Sequence, residues 1–302
     1  MAALDSARIL VTGASGLIGR ALLPTLQSRG FQVVRLVRHP PSTDDQIAWD
    51  PFQPLTPDTV SGFHSVVHLA GETVVGQWTE SKKTKIRDSR VIGTRNLSTA
   101  LAKATVRPRV LIAASAVGYY GDRGDEALRE DSSSGSGFLA EVCREWEAAS
   151  QPVADAGIRV LHMRTGVALS SEGGALQKML PPFRMGVGGV LGSGKQWMSW
   201  IHIQDLVGAI HHMLKTDLLH GPVNMTAPKP VTNAVFTKTL GTVLSRPTIF
   251  PVPAVVAKLA FGQMAEEVLL ASQRAEPEKL ISSGYPFQYT DLSKALESLL
   301  GK

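Results

Sequence analysis

Residues 12–19 read TGASGLIG, with Gly13, Gly16 and Gly19 three residues apart. The run before them, ARILVT, is short and apolar. The run after them, LIGRALLPTLQSRG, has helical spacing and stops at Gly30. A strand, a glycine-rich turn and a helix in that order make a site for a dinucleotide. Small residues let the backbone approach a pyrophosphate, and the helix start offers it unpaired N–H groups and the positive end of a dipole. A glycine triplet alone says little, because glycine turns are common; between a strand and a helix it is specific. The loop residues expected to meet the cofactor are Gly13, Ser15, Gly16, Leu17, Ile18 and Gly19.

The rest of the first half repeats the alternation. FQVVRLVR, SVVHLAG, RVLIAASA and IRVLHMRTGVAL read as strands, and residues 79–104 and 137–157 as helices. Strands alternating with helices imply right-handed crossovers and a parallel sheet covered on both faces. The expected fold is α/β, a Rossmann-like doubly wound parallel sheet with a smaller, mostly helical C-terminal lobe. The dinucleotide-binding domain is expected to span residues 1–170 and 196–226, and the substrate lobe residues 171–195 and 227–302.

The nucleotide is chosen at the end of the second strand. An acid there would hold ribose hydroxyls, as NAD requires. This chain has Arg38 followed by His39, and an arginine fork matches a 2′-phosphate. The expected cofactor is NADP(H). Composition narrows the remaining partners. The net charge is +5 over 302 residues, and the basic residues are scattered, so nucleic acid is not expected. No apolar stretch reaches the roughly 18 residues of a membrane span, and no leader precedes the first strand. Cys143 is the only cysteine, which excludes an internal disulfide and fits a reducing, cytoplasmic setting. The eight histidines lack ligand spacing, so no metal site is expected.

TGASGLIG, VVHLAGE, SRVIGTRNL, ASAVGYYGD and SWIHIQDLVGAI fall in the order and spacing of extended short-chain dehydrogenase/reductases, which the chain resembles over essentially its whole length. LPPFRMGVGGVLGSGKQW and the C-terminal segment PVPAVVAKLAFGQ…GYPFQYTDL resemble a nucleotide-sugar-epimerase-like branch of that family, with a C-terminal helical domain of unknown function. The resemblance implies that Leu69, Ala70, Gly71 and Glu72 pass under the adenosine and pyrophosphate. It also implies that Trp49 and Asp50 line the adenine, that Arg90 and Lys85 face the cofactor from the long helix, and that Arg164 to Val167 lie at the nicotinamide end.

The family's chemistry uses a Tyr and a Lys four residues apart on one helix face, so that the ammonium assists proton exchange by the phenol. Here the helix reads GFLAEVCREWE. With Glu147 as the downstream acid, Leu139 and Cys143 stand at the pair's positions; a shifted register gives Phe138 and Val142. The assisting hydroxyl is displaced too, with Ala116 at the expected position and Ser115 one residue early. The candidate substitutes are Tyr119, Tyr120 and Ser115, with Cys143 as a thiol; Asp205 reads as a helix N-cap.

For a substrate, Lys178, Arg184 and Lys195 surround a glycine-rich loop, with Trp197 and His202 nearby. Cations beside aromatic faces suit an anionic small molecule. GVLGSGKQ, residues 189–196, nearly spells a P-loop, but Gln196 stands where magnesium needs Ser or Thr. Two readings remain. One is an atypical NADP(H)-dependent oxidoreductase or epimerase-like enzyme acting on an anionic small molecule. The other is a non-catalytic NADP(H)-binding regulatory or structural protein. A homodimer is compatible with either.

Overall fold

The computed structural model describes residues 7–301; residues 1–6, on which the expectation about a leader falls, and Lys302 lie outside the described residues. Seven strands form one sheet: β1 (Arg8–Thr12), β2 (Gln32–Val37), β3 (Gln46–Ala48), β4 (Ser65–His68), β5 (Val110–Ala116), β6 (Arg159–Thr165) and β7 (Gly221–Met225). Their order is β7-β6-β5-β4-β1-β2-β3, and every neighbouring pair is parallel. This is a Rossmann-like doubly wound sheet. The chain starts in the middle of the sheet and the order reverses at β1, which opens a crevice at the carboxyl ends of β1 and β4.

Alternation along the strands divides the core between two faces. Ile9 and Val11 share one cluster with Leu22 and Leu26 of helix α1 (Leu17–Ser28) and with Leu206 and Ile210 of helix Ile203–Lys215. Leu10 and Val66 share the other with Leu97 and Leu101 of helix α2 (Glu80–Lys103). Period two in the strands and 3.6 in the helices produce this sandwich. Thr79 begins α2 by accepting a hydrogen bond from Lys82 N at 3.2 Å, and Glu80 and Lys103 complement the helix dipole.

A buried polar chain ties four elements together behind the crevice. Thr12 Oγ1 accepts from the N–H groups of Leu69 and Ala70, at 3.1 and 3.2 Å, and meets His68 Nδ1 at 2.7 Å. His68 Nε2 lies 2.9 Å from Thr94 Oγ1, which also accepts from Trp146 Nε1 at 2.9 Å. With its own acceptors occupied, the Thr12 hydroxyl donates to Nδ1, so Nε2 carries the imidazole proton. The chain therefore joins β1, β4, α2 and helix α3 (Phe138–Ala148) with a neutral histidine.

A third cluster, away from the sheet, packs helices Gly174–Arg184, Asn233–Leu244 and Leu292–Leu300 around the fully buried Trp200. Asp205 anchors the C-terminal segment to the sheet's covering helix. Its buried carboxylate accepts from Gln288 N and Tyr289 N, each at 2.8 Å. That corrects the N-cap expectation, because His202 caps this helix by accepting from Gln204 N at 3.1 Å.

Other differences are local. The helix expected over 137–157 stops at Ala148 and resumes as Gln151–Asp155, where Pro152 starts the second piece. The strand expected over 158–169 is two: at Gly166 a side chain would meet Ser199 O at 2.4 Å, and Val167–Leu169 leaves the sheet to pair with Trp200–His202. Among the described residues no helix is long and apolar enough to cross a membrane.

Burial holds His68, His202 and His211 near pKa 4, against an ordinary 6.5. The folded state thus disfavours protons that the unfolded chain accepts. Their stability contribution is complete above pH 6.5 and is lost as pH falls toward 4. For the fully buried His68, a shift of that size corresponds to about 3 kcal/mol. Urea melts should show stability falling steadily from pH 6.5 to 4.5; equal stability at both values would contradict this.

Candidate dinucleotide site

Gly13 stands where the chain crosses from β1 to α1, at φ +68°. A Cβ there would lie 2.6–2.8 Å from the backbone of Leu69 and Ala70, so only glycine lets the β4 end pass. Gly19 presses α1 onto the turn: its Cβ would meet Gly13 O at 2.5 Å. Gly16 is the N-cap and has no side chain to bond the first turn. The early N–H groups of α1, at Leu17 and Ile18, are left facing the crevice mouth as donors. Ser15 is exposed beside them, and Leu17 packs under Gly174, whose Cβ would lie 2.8 Å from Leu17 Cδ2.

Beyond β4 the chain is held from α2. Glu72 N donates to Ser89 Oγ at 3.0 Å, Arg90 Nη1 donates to Glu72 O at 2.9 Å, and Lys82 Nζ pairs with the Glu72 carboxylate at 2.7 Å. Arg90 also lies over Trp146, 4.9 Å from the ring, with Gly71 directly against it. The hydrogen bond from Lys82, with the fields of Lys82, Arg38 and Lys85, keeps the Glu72 carboxyl below the usual range. Arg38 and Lys85 are exposed, and neither side chain has a hydrogen-bond or ion-pair partner among the described residues. Asp50 is exposed and accepts from Phe52 N at 2.9 Å. Trp49 is core, edge-on to His68.

The other end of the crevice holds a buried network. Arg164 grips both oxygens of Glu147 at 2.9 Å. Its Nη1 donates to Tyr120 Oη and Glu130 O, each at 3.1 Å. Ser115 Oγ donates to Glu147 at 2.7 Å, and Tyr120 Oη is 2.7 Å from Asn224 Oδ1. Arg164, placed by the sequence reading at the cofactor, is spent inside the protein. Tyr120 is fully buried, and burial pushes its phenol up to about 12. Ser115 is likewise buried on Glu147. Tyr119 differs: it is half-buried, its ring lies 3.5 Å from the Arg164 guanidinium, and its hydroxyl has no partner among the described residues.

At the positions of the missing pair, Leu139 packs beside Gly118, and Cys143 is buried, its thiol pushed up to about 12 by burial and by Glu147. Glu267 belongs to no motif legible in the sequence. Its carboxylate caps α3 by accepting from Phe138 N at 3.1 Å and Leu139 N at 2.8 Å.

The expected substrate residues do not converge through any bond. Lys178, Arg184 and Lys195 are exposed, without side-chain partners among the described residues. Trp197 donates its indole N–H to Asp125 at 2.8 Å and lies under Arg274, 4.8 Å from its ring. His202 is buried, stacked on Tyr289 at 3.8 Å, with its nitrogens on Gln204 N and Ser298 Oγ. Val167 pairs with Trp200 outside the main sheet. Besides stacking over Trp197, the Arg274 guanidinium reaches Glu276, two residues on, at 3.7 Å, and no motif in the sequence points to it.

The parallel sheet, the glycine crossover and the open helix start define a dinucleotide-binding α/β protein. Residues 9–225 match the NAD dependent epimerase/dehydratase family, and residues 252–299 match a domain of unknown function, DUF1731. The chain belongs to that epimerase/dehydratase family. It is 42% identical over 293 residues to epimerase family protein MT2273 of Mycobacterium tuberculosis, covering 96% of this chain and 97% of that protein. The crystal structure of human epimerase family protein SDR39U1 with NADPH superposes with a TM-score of 0.90 at 34% identity, over 98% of this chain and 99% of that one. A nucleoside-diphosphate sugar epimerase from Corynebacterium glutamicum superposes with a TM-score of 0.82 at 42% identity, over 98% of this chain and 58% of that one.

Breaking the Arg164–Glu147 pair leaves a buried charge unmatched. Glu147→Gln should cost about 3–5 kcal/mol in urea unfolding. Ser115→Ala, which removes one donor to that carboxylate and leaves the ion pair in place, should cost less, about 2 kcal/mol. Equal costs would mean the ion pair does not organise this end of the crevice.

Proposed function

We propose that the chain binds NADP(H) in this crevice and catalyses an oxidoreductase or epimerase-like reaction on an anionic small molecule without a Tyr–Lys pair. The observation that carries the cofactor assignment is Arg38: an exposed guanidinium without a partner among the described residues at the end of β2, where the adenosine ribose of a dinucleotide falls. Its fork suits a 2′-phosphate. The human relative solved with NADPH supports the same choice. The pyrophosphate would rest on the first turn of α1, and Leu69 to Gly71 would underlie the adenosine.

When bound, nicotinamide supplies hydride transfer. The chain's own contribution at that end is shape and proton handling. Arg164, Glu147 and Ser115 form a rigid buried floor, and Tyr119 lies on it with an uncommitted hydroxyl. We assign Tyr119 the exchange of a proton with substrate. Lys195 and Arg184, exposed and without side-chain partners among the described residues, are the proposed attraction for substrate anions.

A second reading, a cofactor-responsive protein without turnover, is favoured by one observation. The two positions that carry the family's proton relay hold Leu139 and a buried thiol.

Calorimetric titration tests the cofactor assignment. NADPH should bind about ten- to a hundredfold tighter than NADH, the worth of one charge-assisted phosphate contact. Equal affinities would remove it.

Interconversion of UDP-glucose and UDP-galactose, followed by coupled assay, should be absent or far below that of a Tyr–Lys epimerase. Rapid epimerisation surviving Tyr119→Phe would show that another group moves the proton.

A further inference from the structure

The loop that carries Arg38 runs from residue 38 to 45, between the ends of β2 and β3, and it is held in one shape by groups outside it. Arg35, in the last half of β2, reaches both oxygens of Asp45 with one nitrogen, each at 2.8 Å. The same nitrogen donates to Thr43 Oγ1 at 3.2 Å, and Thr43 Oγ1 donates to Asp45. The backbone repeats the tie: Arg35 N donates to Asp45 O at 2.7 Å, and Gln46 N donates to Thr43 O at 3.1 Å. From the other side, Gln46 Oε1 accepts from Ser42 N and Ser42 Oγ at 3.0 and 3.2 Å. Pro40 and Pro41 restrict what remains. Arg38 is thus a cation without a partner among the described residues, at the start of a braced loop.

The brace has a second consequence. This loop contains two acids, Asp44 and Asp45, within eight residues of β2. A free carboxylate at this edge of a dinucleotide site favours ribose hydroxyls and repels a phosphate. The Asp45 carboxylate is not free, because Arg35 neutralises it and Thr43 donates to it. Both bonds hold its carboxyl below the usual range.

We propose that Arg35 and Asp45 are specificity-determining positioning residues: together they fix the loop that presents Arg38 and keep the Asp45 carboxylate matched, so that this edge of the site accepts a 2′-phosphate. The inference rests on the NADP(H) reading above. Neither residue touches the nucleotide in this account. Asp45 acts through the loop that presents Arg38, and Arg35 acts through that loop and by matching the Asp45 charge.

Calorimetric titration of NADPH and NADH into the full-length protein, with Arg38→Ala, Asp45→Asn, Arg35→Ala and the Arg38→Ala/Asp45→Asn double variant, tests it. Arg38→Ala should weaken NADPH about tenfold or more and leave NADH within about twofold. Asp45→Asn should weaken NADPH about three- to tenfold, again sparing NADH, and should add nothing in the double variant, since a residue acting through Arg38 has no effect without it. Arg35→Ala should weaken NADPH more than Asp45→Asn does, because it releases a carboxylate as well as the loop. If Arg38→Ala leaves the NADPH/NADH ratio unchanged, the cofactor reading itself is wrong. If Arg38→Ala collapses the ratio while Asp45→Asn leaves it intact, the cofactor reading stands and the positioning role is overturned. A loss shared equally by both nucleotides in Asp45→Asn would make the brace a general structural support and also overturn the proposal. Should Arg35→Ala fail to fold, Asp45→Asn and the double variant decide alone.

Discussion

The structure depends on how closely β4 passes the turn after β1. Gly13 admits the backbone of Leu69 and Ala70 at a distance no side chain would allow, and Thr12, the residue before it, accepts both of their N–H groups. From there the polar chain through His68 and Thr94 reaches Trp146 on α3. One contact thereby sets the crevice width, the aim of α1 and the distance between its two ends. Replacing any member leaves a buried polar group without a partner, which costs about 1–3 kcal/mol each.

The two ends of the crevice have opposite characters. At the end formed by β1, β2 and α1, charged side chains stand in solvent around an open helix start, and Arg38 and Lys85 have no side-chain partner among the described residues. At the far end the polar groups are paired inside the protein: Arg164 with Glu147, Ser115 on the same carboxylate, Tyr120 on Asn224, and Glu130 on the N–H groups of Asn224 and Lys279. An unmatched end suits capture of an anion, and a matched end suits holding a shape. The C-terminal segment contributes to the matched end, since Glu267 supplies the cap that Gly137 lacks for α3. The domain of unknown function is therefore built into the helix on which this family's chemistry is normally placed.

The parts legible in the sequence are those written in short-range pattern. The glycine turn, α1, α2 and five of the sheet strands announce themselves by period and by their end residues. The two edge strands do not. Gln46–Ala48 has three residues, and Gly221–Met225 contains Gly, Pro and Asn, so neither shows an apolar run. The polar residues were harder still. Arg164 and His202 look like site residues because they are charged or titratable within family motifs, yet both are consumed by partners that folding brings from 17 and 96 residues away. Asp205 looks like a cap from its place before an apolar helix, and only the long-range return of residues 288–289 shows its use. Pairings across such separations leave no periodic trace, which is also why Glu267 was invisible.

The central claim is that the exposed cation at the end of β2 meets a 2′-phosphate while the glycine turn holds the pyrophosphate. A crystal structure of the protein grown with NADP+ tests it directly. The pyrophosphate should lie on the first turn of α1 and the 2′-phosphate within hydrogen-bond distance of the Arg38 guanidinium, at about 2.7–2.9 Å. A nucleotide bound in this crevice with its 2′-phosphate in solvent and Arg38 turned away, or a nucleotide bound elsewhere on the protein, would contradict it.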